Sequence, residues 1–149
     1  MTAHGRGVTY EFMSPPWLAA LHGIISERVS QVARREPGMS FSVCEVARDP
    51  PAHLSPDGAS LSWCCRVTQG LVTFSLEPAE DVDLRVEGDY AALASLAPIV
   101  VDDDPEAATR LREASDALVA AGRVRVSGAA VRPASIGSFH DAIARLTTV

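Results

Sequence analysis

The residue types able to do chemistry are few and far apart. His4, His22, His53 and His140 fall in the N-terminal tail, a helix, a loop and the last helix, and none stands three or four residues from another ligand, as a helical zinc site requires. Two of the cysteines, Cys64 and Cys65, are adjacent. Neighbours on a strand point to opposite faces, so these two cannot easily share a metal or a local bridge, and all the cysteines read as small apolar core residues. Cys44 and Cys64 are spaced to face each other across a hairpin. The triplet Asp102-Asp103-Asp104 invites a metal reading, but Asp104 directly precedes Pro105 and Glu106, which is the arrangement of a helix cap. No calcium-loop spacing surrounds it. There is no Gly-rich phosphate loop and no nucleophile elbow, and Gly5-Arg6-Gly7 is too short and too terminal to stand for either. His140, next to Asp141 and Phe139, is the best acid–base candidate, although a hydrogen-bonded histidine at a helix edge is the simpler reading.

Composition narrows the choice further. The chain has 149 residues, enough for one ordinary domain with a single core. Its hydrophobic share of 47% and charged share of 21% exclude a disordered chain. With 13 basic and 19 acidic residues the net charge is −6, which argues against a nucleic-acid surface. Every basic residue is Arg, a compositional trait and not a chemical one. Met1 to Gly7 lacks the charged flank and apolar core of a secretory signal, and no apolar run reaches the roughly eighteen residues of a membrane span. An odd number of cysteines makes a poor disulfide framework. A soluble cytoplasmic protein is therefore expected.

The elements that would position a site follow from hydrophobic period and punctuation. Val8 to Phe12 alternates and reads as a brief extended segment. Ser14 is a good N-cap, Pro15 suits the first helical position, and Leu18, Leu21, Ile25, Val29 and Val32 share one helix face up to the Pro37-Gly38 stop. Trp17, in the first turn, reads as core. From Met39 the period becomes two: Met39, Phe41 and Val43, then Leu61, Trp63, Cys65 and Val67 across a long turn-rich loop, then Val72, Phe74 and Leu76, then Val82, Leu84 and Val86. One sheet face is thus apolar and the other wet. Asp89 is placed to cap a helix lined by Tyr90, Leu93, Leu96 and Ala97, and Pro98 interrupts it. A second helix carries Ala107, Leu111, Ala114 and Leu118 and stops at Gly122. Strand Arg123 to Ser127 turns Val124 and Val126 inwards. After a Pro133 turn, a last helix buries Ile136, Phe139, Ile143 and Leu146. Residues 1–13 form a tail or short extended segment, and 14–149 one domain.

Two short motifs frame the second half: Leu84-Arg85-Val86-Glu87-Gly88-Asp89-Tyr90-Ala91-Ala92-Leu93, and Gly122-Arg123-Val124-Arg125-Val126-Ser127-Gly128. Together they resemble the sterol carrier protein type 2 family, in which a strand leads through Gly-Asp into a short helix and a later Gly-x-Val-x-Val-x-Gly strand precedes the terminal helix. The hairpin from Val43 through Phe74 and the helix starting near Ser14 fit the same order. Two features depart from the pattern: Ala129-Ala130 follows Gly128, where the family often has a charged residue, and an acidic turn lies between the motifs.

The resemblance implies an α+β domain, a twisted, mostly antiparallel five-stranded sheet with helices over one face enclosing a hydrophobic cavity for sterols, fatty acids or their coenzyme A esters. The residues expected to line it are Phe41, Trp63, Phe74, Leu93, Leu96, Ile99, Val100, Leu111, Leu118, Phe139 and Ile143. Each is as well explained by ordinary core packing. The partner expected is a small hydrophobic ligand, with no nucleic acid, no stable membrane insertion, no metal and no cofactor; self-association is left open. A second reading is a small enzyme or accessory subunit acting on a polyketide-, terpene- or steroid-like intermediate, with His140 or Asp141 assisting. A third is an interaction domain whose pocket is filled by its own side chains.

Overall fold

The computed structural model describes residues 8–129 and 139–149. The expected Pro133 turn, Ile136, His4 and the Met1 to Gly7 stretch lie outside the described residues. In chain order the elements are β1 (Tyr10–Glu11), α1 (Pro15–Ala33), β2 (Phe41–Arg48), β3 (Leu61–Thr68), β4 (Leu71–Ser75), β5 (Leu84–Asp89), α2 (Tyr90–Leu96), α3 (Pro105–Ala120), β6 (Val124–Gly128), α4 (His140–Ala144) and β7 (Thr147–Thr148).

Five strands form one sheet in the order β4-β3-β2-β5-β6. The β2–β5 pair is parallel and the other neighbours are antiparallel, so the sheet is mixed but mostly antiparallel. The short β1 and β7 pair in parallel at the end of the helical layer. That pairing carries Phe12 and Met13 into the core, where they are 2% and 1% exposed.

Helix α1 forms as its sequence dictates. The Ser14 hydroxyl accepts from Trp17 N–H, Pro15 sits at the first position, and Leu18, Leu21, Ile25, Val29 and Val32 are buried along one stripe together with Trp17. Trp17 is anchored at both ends: its ring meets Phe12 edge-on at 5.0 Å, and its indole N–H donates to Thr147 Oγ1 at 2.9 Å. Tyr90 closes the same corner by donating its hydroxyl to the Phe12 carbonyl at 2.8 Å.

Two details of the sheet differ from the alternation. Its outer face is not uniformly wet: Cys44, Val46 and Cys64 are buried there under Ala79 and Val82. Val82 therefore does not share a face with Leu84 and Val86, and the strand begins at Leu84. The cause is Asp83, which exchanges two hydrogen bonds with Ser42 of β2: Ser42 N–H donates to Asp83 Oδ2 and Asp83 N–H donates to Ser42 Oγ, both at 2.8 Å. This clamp fixes the chain just before it joins the sheet. On β4, Val72 and Phe74 pack on the core but Leu76 lies beyond the strand and is 58% exposed.

Candidate functional site

Between the sheet and the helices lies a pocket of about 400 Å³. Its floor is Phe41, Val43 and Glu45 of β2, Trp63 and Cys65 of β3, Leu84 and Val86 of β5, and Val124 and Val126 of β6. The cover is Trp17, Leu21 and Ile25 of α1, Leu93 and Leu96 of α2, Leu111, Ser115 and Val119 of α3, and Phe139, His140 and Ile143 at α4. Val119 and Val126 are 45% and 51% exposed, so the pocket opens to solvent at the α3–β6 edge.

The cover is held by caps at its corners. Asp89 Oδ1 accepts from Ala92 N–H at 2.7 Å and starts α2. Asp104 Oδ1 accepts from Glu106 N–H at 2.9 Å and starts α3 after the break at Pro98. At the far end of α3, Gly122 adopts φ +74°. Its N–H donates to the Val119 carbonyl, and Arg123 N–H donates to the Leu118 carbonyl, which closes the helix and sends the chain into β6. Gly88 lets these pieces approach: a Cβ there would stand 2.9 Å from the Arg123 carbonyl oxygen and 3.0 Å from Val124 Cγ2.

Seven of the eleven expected lining residues meet at this pocket: Phe41, Trp63, Leu93, Leu96, Leu111, Phe139 and Ile143. Four do not. Phe74 lies towards the β4 edge, its ring stacked 5.9 Å from Trp63 and 4.6 Å from His22, and is core. Leu118, also on α3, packs on the core without lining the pocket. Ile99 and Val100 are half-buried in the segment after α2. That segment is used through its backbone. His140 Nε2–H donates to the Ile99 carbonyl at 2.6 Å, and Asp141 accepts from Val101 and Asp102 N–H, both at 2.8 Å. These two amide donors help hold the Asp141 carboxyl below the usual carboxylate range, the Val101 N–H most. Arg145 completes the anchor with an ion pair to Asp102. His140 and Asp141 therefore tie α4 to the α2–α3 connection. Among the described residues no three His, Cys, Asp or Glu gather as a metal site.

One lining residue of a different kind was not anticipated. Glu45 continues the alternation of Phe41 and Val43, and so turns a carboxyl towards an otherwise apolar floor. Trp63 lies directly across the ladder and its indole N–H donates to Glu45 Oε1 at 3.0 Å. Burial pushes the Glu45 carboxyl up to about 6, against the opposing pull of that N–H. The signal was present in the sequence: the period of two runs on past Val43 to an acidic residue on the core side. Cys65, one step along β3, also faces the pocket, and burial pushes its thiol up to about 11, away from nucleophilic use.

Neither a protein-family model nor a curated protein matches the sequence. Its fold, by contrast, finds matches among solved structures. A conserved hypothetical protein of Thermus thermophilus, suggested to be a sterol carrier protein, aligns at 12% identity and a TM-score of 0.47, covering 96% of this chain and 91% of its own. A structure named UbiJ-SCP2, a ubiquinone synthesis protein, aligns at 16% identity and 0.40, covering 89% and 96%. A crystal structure of sterol carrier protein 2 aligns at 12% identity and 0.47, covering 91% and 96%. All three carry the name of the group that the two glycine-framed motifs resemble. At these identities and TM-scores the likeness assigns no ligand to this chain.

Proposed function

We propose that this chain binds a small hydrophobic molecule between its sheet and its helices, and holds or transfers it without covalent chemistry. The observation that carries the reading is the pocket itself: about 400 Å³, lined mainly by aliphatic and aromatic side chains and open at the α3–β6 edge. That volume lies within the ordinary range for small-molecule sites, roughly 300–1,000 Å³. Each methylene withdrawn from water into such a space contributes about 0.8 kcal/mol, so a hydrocarbon body supplies useful affinity with few polar contacts. Sterols, fatty acids and acyl esters are the ligand classes to try first.

The enzyme reading gains little from the geometry, because His140 and Asp141 are both engaged in holding the 99–102 segment. The test is saturable binding of an environment-sensitive fatty-acid or sterol probe to delipidated protein, with displacement by natural lipid. Native mass spectrometry of freshly purified protein should also show a co-purified small molecule. Absence of saturable binding across a broad lipid panel would remove the proposal.

A further inference from the structure

We propose that Glu45 is the polar recognition point of the pocket and that it selects a hydrophobic alcohol, a hydrocarbon body whose hydroxyl donates to the carboxyl oxygen that Trp63 leaves free. The inference rests on the ligand-binding reading above. It starts from how a carboxyl is held on that floor. Glu45 lies on β2, the central strand of the sheet, flanked across the ladders by Trp63 on one side and Val86 on the other. Among the described residues its one hydrogen bond is from Trp63 Nε1–H, and no cation pairs with it.

A carboxyl can accept at two oxygens, and one donor on one oxygen leaves most of that capacity unused. The nearby polar groups do not fill it. Trp17 spends its N–H on Thr147, His140 donates Nε2–H to Ile99, and Ser115 of α3 lines the pocket without a hydrogen bond to Glu45. An acceptor with spare capacity on an apolar floor gains a partner where a ligand supplies a donor. Burial pushes the carboxyl up to about 6, so at neutral pH it is mainly ionised and accepts strongly.

The same feature sets what is disfavoured. A chain that brings a second carboxylate to β2 meets like charge in an apolar surround, and a bare hydrocarbon end leaves the acceptor unsatisfied. A cationic amine satisfies it, but only by adding the desolvation of a second ion. A neutral hydroxyl meets the need at least cost.

The experiment uses a matched set, dodecanol, dodecyl methyl ether, dodecanoic acid and dodecylamine, titrated calorimetrically into the full chain. Wild type should bind dodecanol about tenfold or more tighter than the ether or the acid, the factor expected of one hydrogen bond to a charged acceptor. In Glu45→Leu that discrimination should vanish while the ether binds as well or better. Glu45→Gln keeps the shape; with its amide oxygen taken by Trp63 it presents a donor, and the preference should swing towards the ether. Equal binding of alcohol and ether by wild type, or discrimination that survives in both variants, would overturn the role of Glu45 and leave the pocket reading intact. Amine binding tighter than alcohol would overturn the neutral ligand class. If none of the four binds wild type while a sterol or fatty-acid probe does, this inference falls alone; if no probe binds either, the pocket reading falls with it.

Discussion

Asp89 and Arg123 join the two glycine-framed motifs by a bidentate ion pair, with Arg123 Nε and Nη2 donating to Asp89 Oδ2 and Oδ1 at 2.9 and 3.0 Å. The backbones bond as well, Asp89 N–H to the Arg123 carbonyl at 3.1 Å. Because Asp89 Oδ1 also caps α2, one carboxylate fixes the end of β5, the start of a pocket-covering helix and the entry to β6.

Replacing Asp89 should therefore loosen the cover before it disturbs the sheet. The Arg123 guanidinium, and then the Ala92 N–H, hold the Asp89 carboxyl below its ordinary value of 3.8. A depressed carboxylate contributes stability that is present above the unfolded value and is lost as pH falls through the folded one. Asp89→Ala should lower stability by about 1 kcal/mol at neutral pH, the usual effect of losing an N-cap. In urea unfolding the gap from wild type should shrink below pH 3.8. A gap that is constant with pH would show that the ion pair and cap contribute nothing as charge.

Glycine positions give a sharper contrast. Gly128 has φ +81°, and a Cβ there would stand 2.0 Å from the Asp83 carbonyl oxygen, beside the clamp to Ser42. Gly128→Ala should cost more than about 2 kcal/mol, combining left-handed strain with a backbone clash. Gly23, in the middle of α1, has nothing within 4 Å of its would-be Cβ. Gly23→Ala should instead stabilise by about 0.5–1 kcal/mol through helix propensity. Thermal melts of the two variants should move in opposite directions.

The thiols provide a third check. Cys44 and Cys64 face each other in the β2–β3 register under Ala79 and Val82, and all three cysteines are buried and free. Burial is the main cause that pushes Cys64 up to about 12, so little thiolate exists at neutral pH. A thiol reagent should react slowly with the native protein and fully, at three sites, in denaturant. Fewer than three thiols in denaturant would mean that a bridge had formed.

Much of this architecture was legible because local signals agreed. Ser14, Asp89, Asp104 and Gly122 mark helix ends in the sequence and mark them in the structure. Where alternation misleads, a tertiary partner has overruled the period. Val82 keeps the alternation of Leu84 and Val86, but the Asp83–Ser42 clamp lets it cover Cys44 on the opposite face. Val126 faces inwards as its period predicts, but on edge strand β6 it forms part of the pocket lip and is half exposed. Phe74 and Trp63 share a face, yet which of them reaches the pocket depends on strand order. Strand order does not appear in hydrophobic spacing.

Glu45 yields the last prediction, with a sign opposite to that of Asp89. Its carboxyl is raised from an ordinary value of 4.5 to about 6, so the folded protein favours the protonated form more than the unfolded chain does. The stability linked to that proton is fully present below pH 4.5 and is lost as pH rises through about 6. Glu45→Gln cannot ionise and escapes this loss. Its stability relative to wild type should therefore climb across the same window and level off above neutrality, by on the order of 2 kcal/mol. Asp89→Ala changes in an acidic range lying lower, so paired melts across pH separate the two residues. A flat Glu45→Gln difference between pH 4.5 and 7 would mean that the carboxyl is not desolvated on the pocket floor. In that case the basis for its recognition of a hydroxyl would go too.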